Sequence, residues 1–172
     1  MEKILKNKLE KIKLLAMDVD GTLTDASMYY TKDGEYMKKF STRDGMGMKL
    51  LQQIGLKTAI VTTEISEIVV ARAKKLNVDK VIMGSTSKDK DIEAYCKEIN
   101  LSLEEVAYIG DDVNDIPIIE KAGFSACPAD ASRFVKNAVD YICQANGGNG
   151  AVREIAEMIF EVKSIPIKWQ TD

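Results

Sequence analysis

Apolar positions recur along this chain in two rhythms. Short apolar runs stand at Leu14–Met17, Thr58–Val61, Lys80–Met83, Val106–Ile109 and Phe124–Cys127, with a weaker one at Asp140–Cys143. Runs of that length bounded by turn residues predict buried strands. Between them, Ile65, Ile68, Val69, Ala73 and Leu76 fall on one helical face. So do Ile92, Tyr95, Cys96 and Ile99, and again Val152, Ile155, Ala156 and Ile159. Gly55 and Gly123 stand where helices would stop. Alternation of this kind predicts an α/β fold, a doubly wound and mostly parallel sheet with helices on both faces. Right-handed crossovers then align the carboxyl ends of the strands along one edge, where ligands bind.

One stretch breaks the rhythm. Residues 28–40, "MYYTKDGEYMKKF", predict a β-hairpin insertion with Asp33-Gly34 at its turn. The "NGGNGA" stretch reads as a flexible turn before the last helix, and the tail of about 161–172 leaves as an extended segment at Pro166.

Length and composition narrow the classes. A chain of 172 residues predicts one domain over 1–172, and 45% hydrophobic against 30% charged residues is a soluble globular balance. A net charge of −3 gives no general attraction to nucleic acid or to anionic lipid. No apolar run is long enough to span a membrane, and the N-terminus lacks the apolar core of a secretory signal, so the expected location is cytoplasmic. Cys96, Cys127 and Cys143 are odd in number and far apart, which argues against a disulfide framework. The chain has no histidine. That removes Ser-His-Asp triads, Cys-His pairs and His-ligated zinc, and leaves catalysis to carboxylates, lysines, hydroxyls or a hard metal.

The chemistry gathers behind the strands. Asp18 and Asp20 follow the first run, Thr62 and Thr63 the second, "GSTSKDK" with Lys88 and Lys90 the third, and "GDDVND" with Asp111, Asp112 and Asp115 the fourth. Two acidic clusters at one edge repel unless a cation lies between them. Oxygen ligands without His or Cys favour Mg²⁺. With a threonine and a lysine nearby, such a site can hold a phosphoryl group.

"DVDGT", "VTT", a lysine and "GDDVND", each after a strand and in that order, resemble the four motifs of the haloacid dehalogenase superfamily phosphatases. The resemblance implies a Rossmann-like core and a phosphoric monoester hydrolase. It makes Asp18 the nucleophile, Asp20 the general acid and base, Thr62 a donor to the phosphoryl group and Lys88 its counter-charge. Lys90 is the rival lysine, and the spacing that the resembled family keeps after this strand favours Lys88. Mg²⁺ would be held by Asp18, the Asp20 backbone carbonyl and Asp111, with Asp112 and Asp115 orienting water or lysine around it. The intervals Asp20–Thr62 and Thr62–Lys88 leave no room for a cap domain beyond the hairpin.

The "CPADA" and "GGNGAVRE" stretches and the hairpin resemble the capless branch acting on 2-keto-3-deoxy sugar acid phosphates. That implies a small-molecule sugar acid phosphate as substrate and a homotetramer whose hairpins meet near a symmetry axis. Nonulosonate-type members of the branch place a glutamate where this chain has Glu64, and octulosonate-type members usually carry Gly-Arg there. The expectation is therefore a nonulosonate 9-phosphate, with octulosonate 8-phosphate as the alternative. Thr63 and Glu64 would meet the sugar, Arg72 and Lys75 its carboxylate. Two rivals come from other classes. A phospho-acceptor receiver domain has its phosphorylated Asp after the third strand, where this chain has Ser and Lys. A non-catalytic module of the CMP-sialate synthetase type would lack the acids that Asp18, Asp20 and Asp111 supply.

Overall fold

The computed structural model describes residues 3–167. The chain opens with helix α1 (Lys3–Glu10) and strand β1 (Leu14–Met17), then forms a hairpin of β2 (Tyr29–Thr31) and β3 (Gly34–Met37). Next come α2 (Thr42–Gln53), β4 (Lys57–Val61), α3 (Glu67–Leu76), β5 (Lys80–Ile82) and α4 (Lys88–Glu98). The last stretch holds β6 (Val106–Ile109), α5 (Ile116–Ile119), β7 (Phe124–Cys127), α6 (Arg133–Lys136), β8 (Tyr141–Ile142) and α7 (Ala151–Val162). Six strands pair in parallel in the order β5-β4-β1-β6-β7-β8, as the alternation predicts.

Successive side chains of a strand point to opposite faces, so β1 feeds two cores. Leu15 and Met17 pack with residues of α1, α2, α3 and α7. Leu14 and Ala16 pack with residues of α4, α5 and α6. Burial on both faces explains why β1, β6 and β7 are buried along their whole length. The central β1 is flanked by β4 and β6, so the segments after these three strands emerge side by side. Among the described residues no helix is long and apolar enough to cross a membrane.

Several expectations are corrected. Ile65 is not on the α3 face; it precedes the helix and is 78% exposed. Gly55 is a helix stop in the left-handed region, but Gly123 is not. A Cβ on Gly123 would lie 1.9 Å from the Glu104 carbonyl oxygen, so that glycine marks a close backbone approach. The hairpin turns at Lys32-Asp33, and Gly34 opens the second strand with φ of +117°. The "NGGNGA" stretch is a packed brace. A Cβ on Gly147 would lie 1.9 Å from the Gly21 carbonyl oxygen, and Gly148 N–H donates to the Thr22 carbonyl at 2.9 Å. Helix α7 runs past 161 to Val162, and Ser164 to Ile165 turn back on it through backbone hydrogen bonds. The rest of the predicted tail, 168–172, lies outside the described residues.

Candidate active site

The turn after β1 begins the site. Asp18 N–H donates to the Ile109 carbonyl at 3.0 Å, which extends sheet pairing up to the acid itself. The next residues wrap tightly, with Thr22, Leu23 and Thr24 all donating to the Val19 carbonyl. Gly21 takes φ of +89°, and a Cβ there would strike Asp111 Oδ2 at 2.1 Å. Only glycine lets this turn pass so close to the second acidic cluster.

Lys88 opens α4 and reaches under Asp18. Its ammonium lies 2.8 Å from Asp18 Oδ1 and 2.7 Å from Asp115 Oδ1, with almost no exposure. Burial would push that lysine down, but Asp18 and Asp115 outweigh it and hold it above its ordinary value. Asp115 is wholly buried and fully used. Lys88 and the Tyr108 hydroxyl donate to Oδ1, and the N–H groups of Asp111 and Asp112 donate to Oδ2. Lys90 is exposed and takes no part, so the structure brings Lys88 and not its rival to the nucleophile.

A pocket of about 340 Å³ opens above Asp18, lined among others by Asp20, Thr62, Thr63, Glu64 and Asp111. Thr62 is buried, and its Oγ1 accepts from Glu64 N–H at 3.2 Å, leaving the hydroxyl proton free to donate into the pocket. Asp112 also reaches the rim, but its carboxylate caps the following turn at Val113 N–H and does not touch the lysine. A larger groove of about 860 Å³ between α2 and α7 shares no lining residue with the acids.

Arg72 and Lys75 are not brought to this pocket. Arg72 points toward α2, donating to the Ser41 carbonyl at 2.9 Å and stacking over Phe40. Lys75 is exposed on the next turn of α3. Helix α3 begins at the site edge, so residues one to two turns along it have already left.

The electrostatics call for a cation. Burial, then Asp115, raises Asp18 to about 6 against the opposing pull of Lys88. Burial, then the charges of Asp18, Asp115 and Asp112, raises Asp111 to about 8. Carboxylates pushed this far up are poorly compensated by protein alone. Asp18, Asp111 and Asp115 offer oxygens within 4.8 Å of one another, the one such cluster among the described residues. Asp115 has no lone pair to spare, so Asp18 and Asp111 are the members free to bind. All donors are oxygen, which fits a hard divalent ion.

The sequence profile of the haloacid dehalogenase-like hydrolases matches residues 56–155. The chain is 37% identical over 159 residues to the 3-deoxy-D-manno-octulosonate 8-phosphate phosphatase KdsC of Haemophilus influenzae, covering 92% of this chain and 88% of that one.

This chain is a haloacid dehalogenase-like hydrolase.

It resembles the crystal structure of the 3-deoxy-D-manno-octulosonate 8-phosphate phosphatase of Moraxella catarrhalis, with magnesium, phosphate and KDO bound. That match has a TM-score of 0.92 and 36% identity, covering 95% of this chain and 94% of the other. The cobalt-bound Haemophilus influenzae phosphatase gives 0.89 at 38% identity, over 91% and 92% of the two chains. This haloacid dehalogenase-like hydrolase is a phosphatase with Mg²⁺ as its cofactor. The receiver-domain and non-catalytic alternatives fall with that assignment.

Three polar groups around the site were not among the sequence candidates. Tyr108 supplies the hydroxyl to Asp115, and its signal was a polar-tipped residue inside an apolar strand. Lys38 and Glu35 come from the hairpin. The Lys38 side chain is fully buried, 2.5 Å from Asp20 Oδ1 and 2.7 Å from Glu35 Oε1. No spacing rule separates Lys38 from its neighbours Lys32 and Lys39.

Proposed function

We propose that this phosphatase releases phosphate from the terminal carbon of a 2-keto-3-deoxy sugar acid in the cytoplasm, favouring a nonulosonate 9-phosphate. The observation that carries the chemistry is the shared pocket of Asp18, Asp20, Thr62 and Asp111, with Lys88 beneath. Asp18 attacks phosphorus in line while the leaving sugar oxygen takes a proton from Asp20. Water then attacks the aspartyl-phosphate, gives its proton to Asp20, and frees Asp18. Thr62 donates to a phosphoryl oxygen, and Lys88 holds Asp18 in its attacking position. Asp18, the Asp20 backbone carbonyl and Asp111 would hold Mg²⁺, which would supply charge neutralisation to the phosphoryl group. Asp112 steadies the turn carrying Asp111, and Asp115 fixes Lys88.

Glu64 supports the nine-carbon choice. It is exposed at the rim beside Thr63, where a carboxylate can accept hydrogen bonds from sugar hydroxyls. The eight-carbon reading has its own support, since both named relatives are octulosonate 8-phosphate phosphatases. Comparing kcat/KM for the two sugar acid phosphates decides between them. Glu64→Ala should cut the preferred value about ten- to a hundredfold, and less on p-nitrophenyl phosphate. A preference for the octulosonate overturns the nine-carbon choice. With Asp18→Asn, phosphate release from either sugar should disappear.

The working form is a homotetramer of this single domain. Tyr29, Tyr30 and Tyr36 give the hairpin exposed rings, an area suited to association. The open pocket gains its missing wall from a neighbouring subunit. A fully active monomer by light scattering would remove this part.

A further inference from the structure

We infer that Lys38 is a positioning residue for the acid–base group, holding the Asp20 carboxyl in one orientation beside the nucleophile. The inference rests on the assignment of Asp20 as that group. Three observations meet here. Lys38 has no exposed side-chain surface, and its ammonium lies 2.5 Å from Asp20 Oδ1. Asp20 Oδ2 is the one buried side-chain polar atom among the described residues without a hydrogen-bond partner. Lys38 is itself held by Glu35 at 2.7 Å, and Glu35 accepts a hydrogen bond from the Ser66 hydroxyl.

Ser66 shows how firmly the clamp is tied. It is the N-cap of α3, yet its side chain caps nothing. The hydroxyl that would ordinarily satisfy the first turn is spent on Glu35 instead. A chain of hydrogen bonds thus runs from the loop after β4, through the hairpin, to the loop after β1. The hairpin fixes one oxygen of Asp20 and leaves the other unclaimed.

The chemistry requires a carboxyl that stays in place. As the Asp18 oxygen forms its bond to phosphorus, the bond from phosphorus to the leaving oxygen breaks, and that oxygen takes the proton from the Asp20 carboxyl. An Asp20 free to rotate would turn away. The cost would grow with the basicity of the leaving group, since a good leaving group needs no proton.

The test is kcat/KM across a series of aryl phosphates from 2,4-dinitrophenyl to phenyl phosphate, at saturating Mg²⁺. This ratio reports the first phosphoryl transfer and needs no knowledge of the natural sugar. Lys38→Met should lower it by about a hundredfold on phenyl phosphate and by less than about threefold on the dinitrophenyl ester. Glu35→Gln, which keeps the lysine but loosens it, should show the same trend at smaller size. It decides the matter if Lys38→Met does not fold. Asp20→Asn calibrates the series. If Asp20→Asn shows no leaving-group dependence, the acid–base assignment itself fails. If Asp20→Asn is steep while the Lys38 and Glu35 variants are flat or unchanged, the clamp is refuted.

Discussion

The floor and the roof of the pocket are built on different terms. The floor is Asp115 with Lys88 and Tyr108, all buried, every Asp115 oxygen satisfied twice. It draws on β6, the turn before α5 and the start of α4, inside the packed body. The roof is Asp20 with Lys38 and Glu35, carried by a two-stranded hairpin whose outer side chains are exposed. There one carboxylate oxygen has no partner at all. A group that must stay still is surrounded by donors, and a group that must exchange a proton keeps an atom unclaimed. Stability and reactivity are thus allotted to different carboxylates in one site.

The sharpest way to break this comparison is Lys88→Met. It leaves Asp18 and Asp115 buried without their counter-charge. Stability should fall by about 3–5 kcal/mol in denaturant titration, and phosphatase activity should be lost with it. A roof substitution such as Lys38→Met should cost much less stability for its kinetic effect. Equal stability losses would erase the distinction between floor and roof.

Asp111 lies between the two regions and tests the need for a cation. Without metal its folded value is raised to about 8, so the folded chain holds a proton more tightly than the unfolded chain does. Its contribution is therefore fullest at low pH and is lost as pH rises toward about 8. In thermal melts, the rise in Tm caused by Mg²⁺ should be larger at pH 8 than at pH 5. Asp111→Asn should raise the Tm of the metal-free protein at pH 8 and flatten the response to Mg²⁺. A metal response that is unchanged in the variant would remove Asp111 from the binding site.

Tyr108→Phe is the gentlest probe. It removes one of the four donors to Asp115 and leaves Lys88 in place. A cost of about 1–3 kcal/mol is expected, seen as a Tm lowered by several degrees, with kcat little changed. A large kinetic effect would mean the floor takes part in the chemistry as well as the support.

The sheet was legible because burial on both faces writes itself as uninterrupted apolar runs, and β1, β6 and β7 begin and end where those runs do. The acids were legible because they follow such runs directly. Helix α2 hides behind two glycines that oppose a helical reading. Tertiary packing demands both: a Cβ on Gly45 would meet Arg72 at 2.7 Å, and one on Gly47 the α7 backbone at 3.1 Å. Arg72 was misread for the same reason, since its guanidinium completes that packing. Lys38 was illegible because its burial depends on where the hairpin folds back, which no local pattern records.

The contact of Gly147 with the Gly21 carbonyl also has a temporal side. On the ribosome the acidic turn emerges before the loop that backs it. The brace joins positions far apart in sequence, a slow kind of contact to form. A growing polypeptide therefore carries its nucleophile before the loop that braces it has been made.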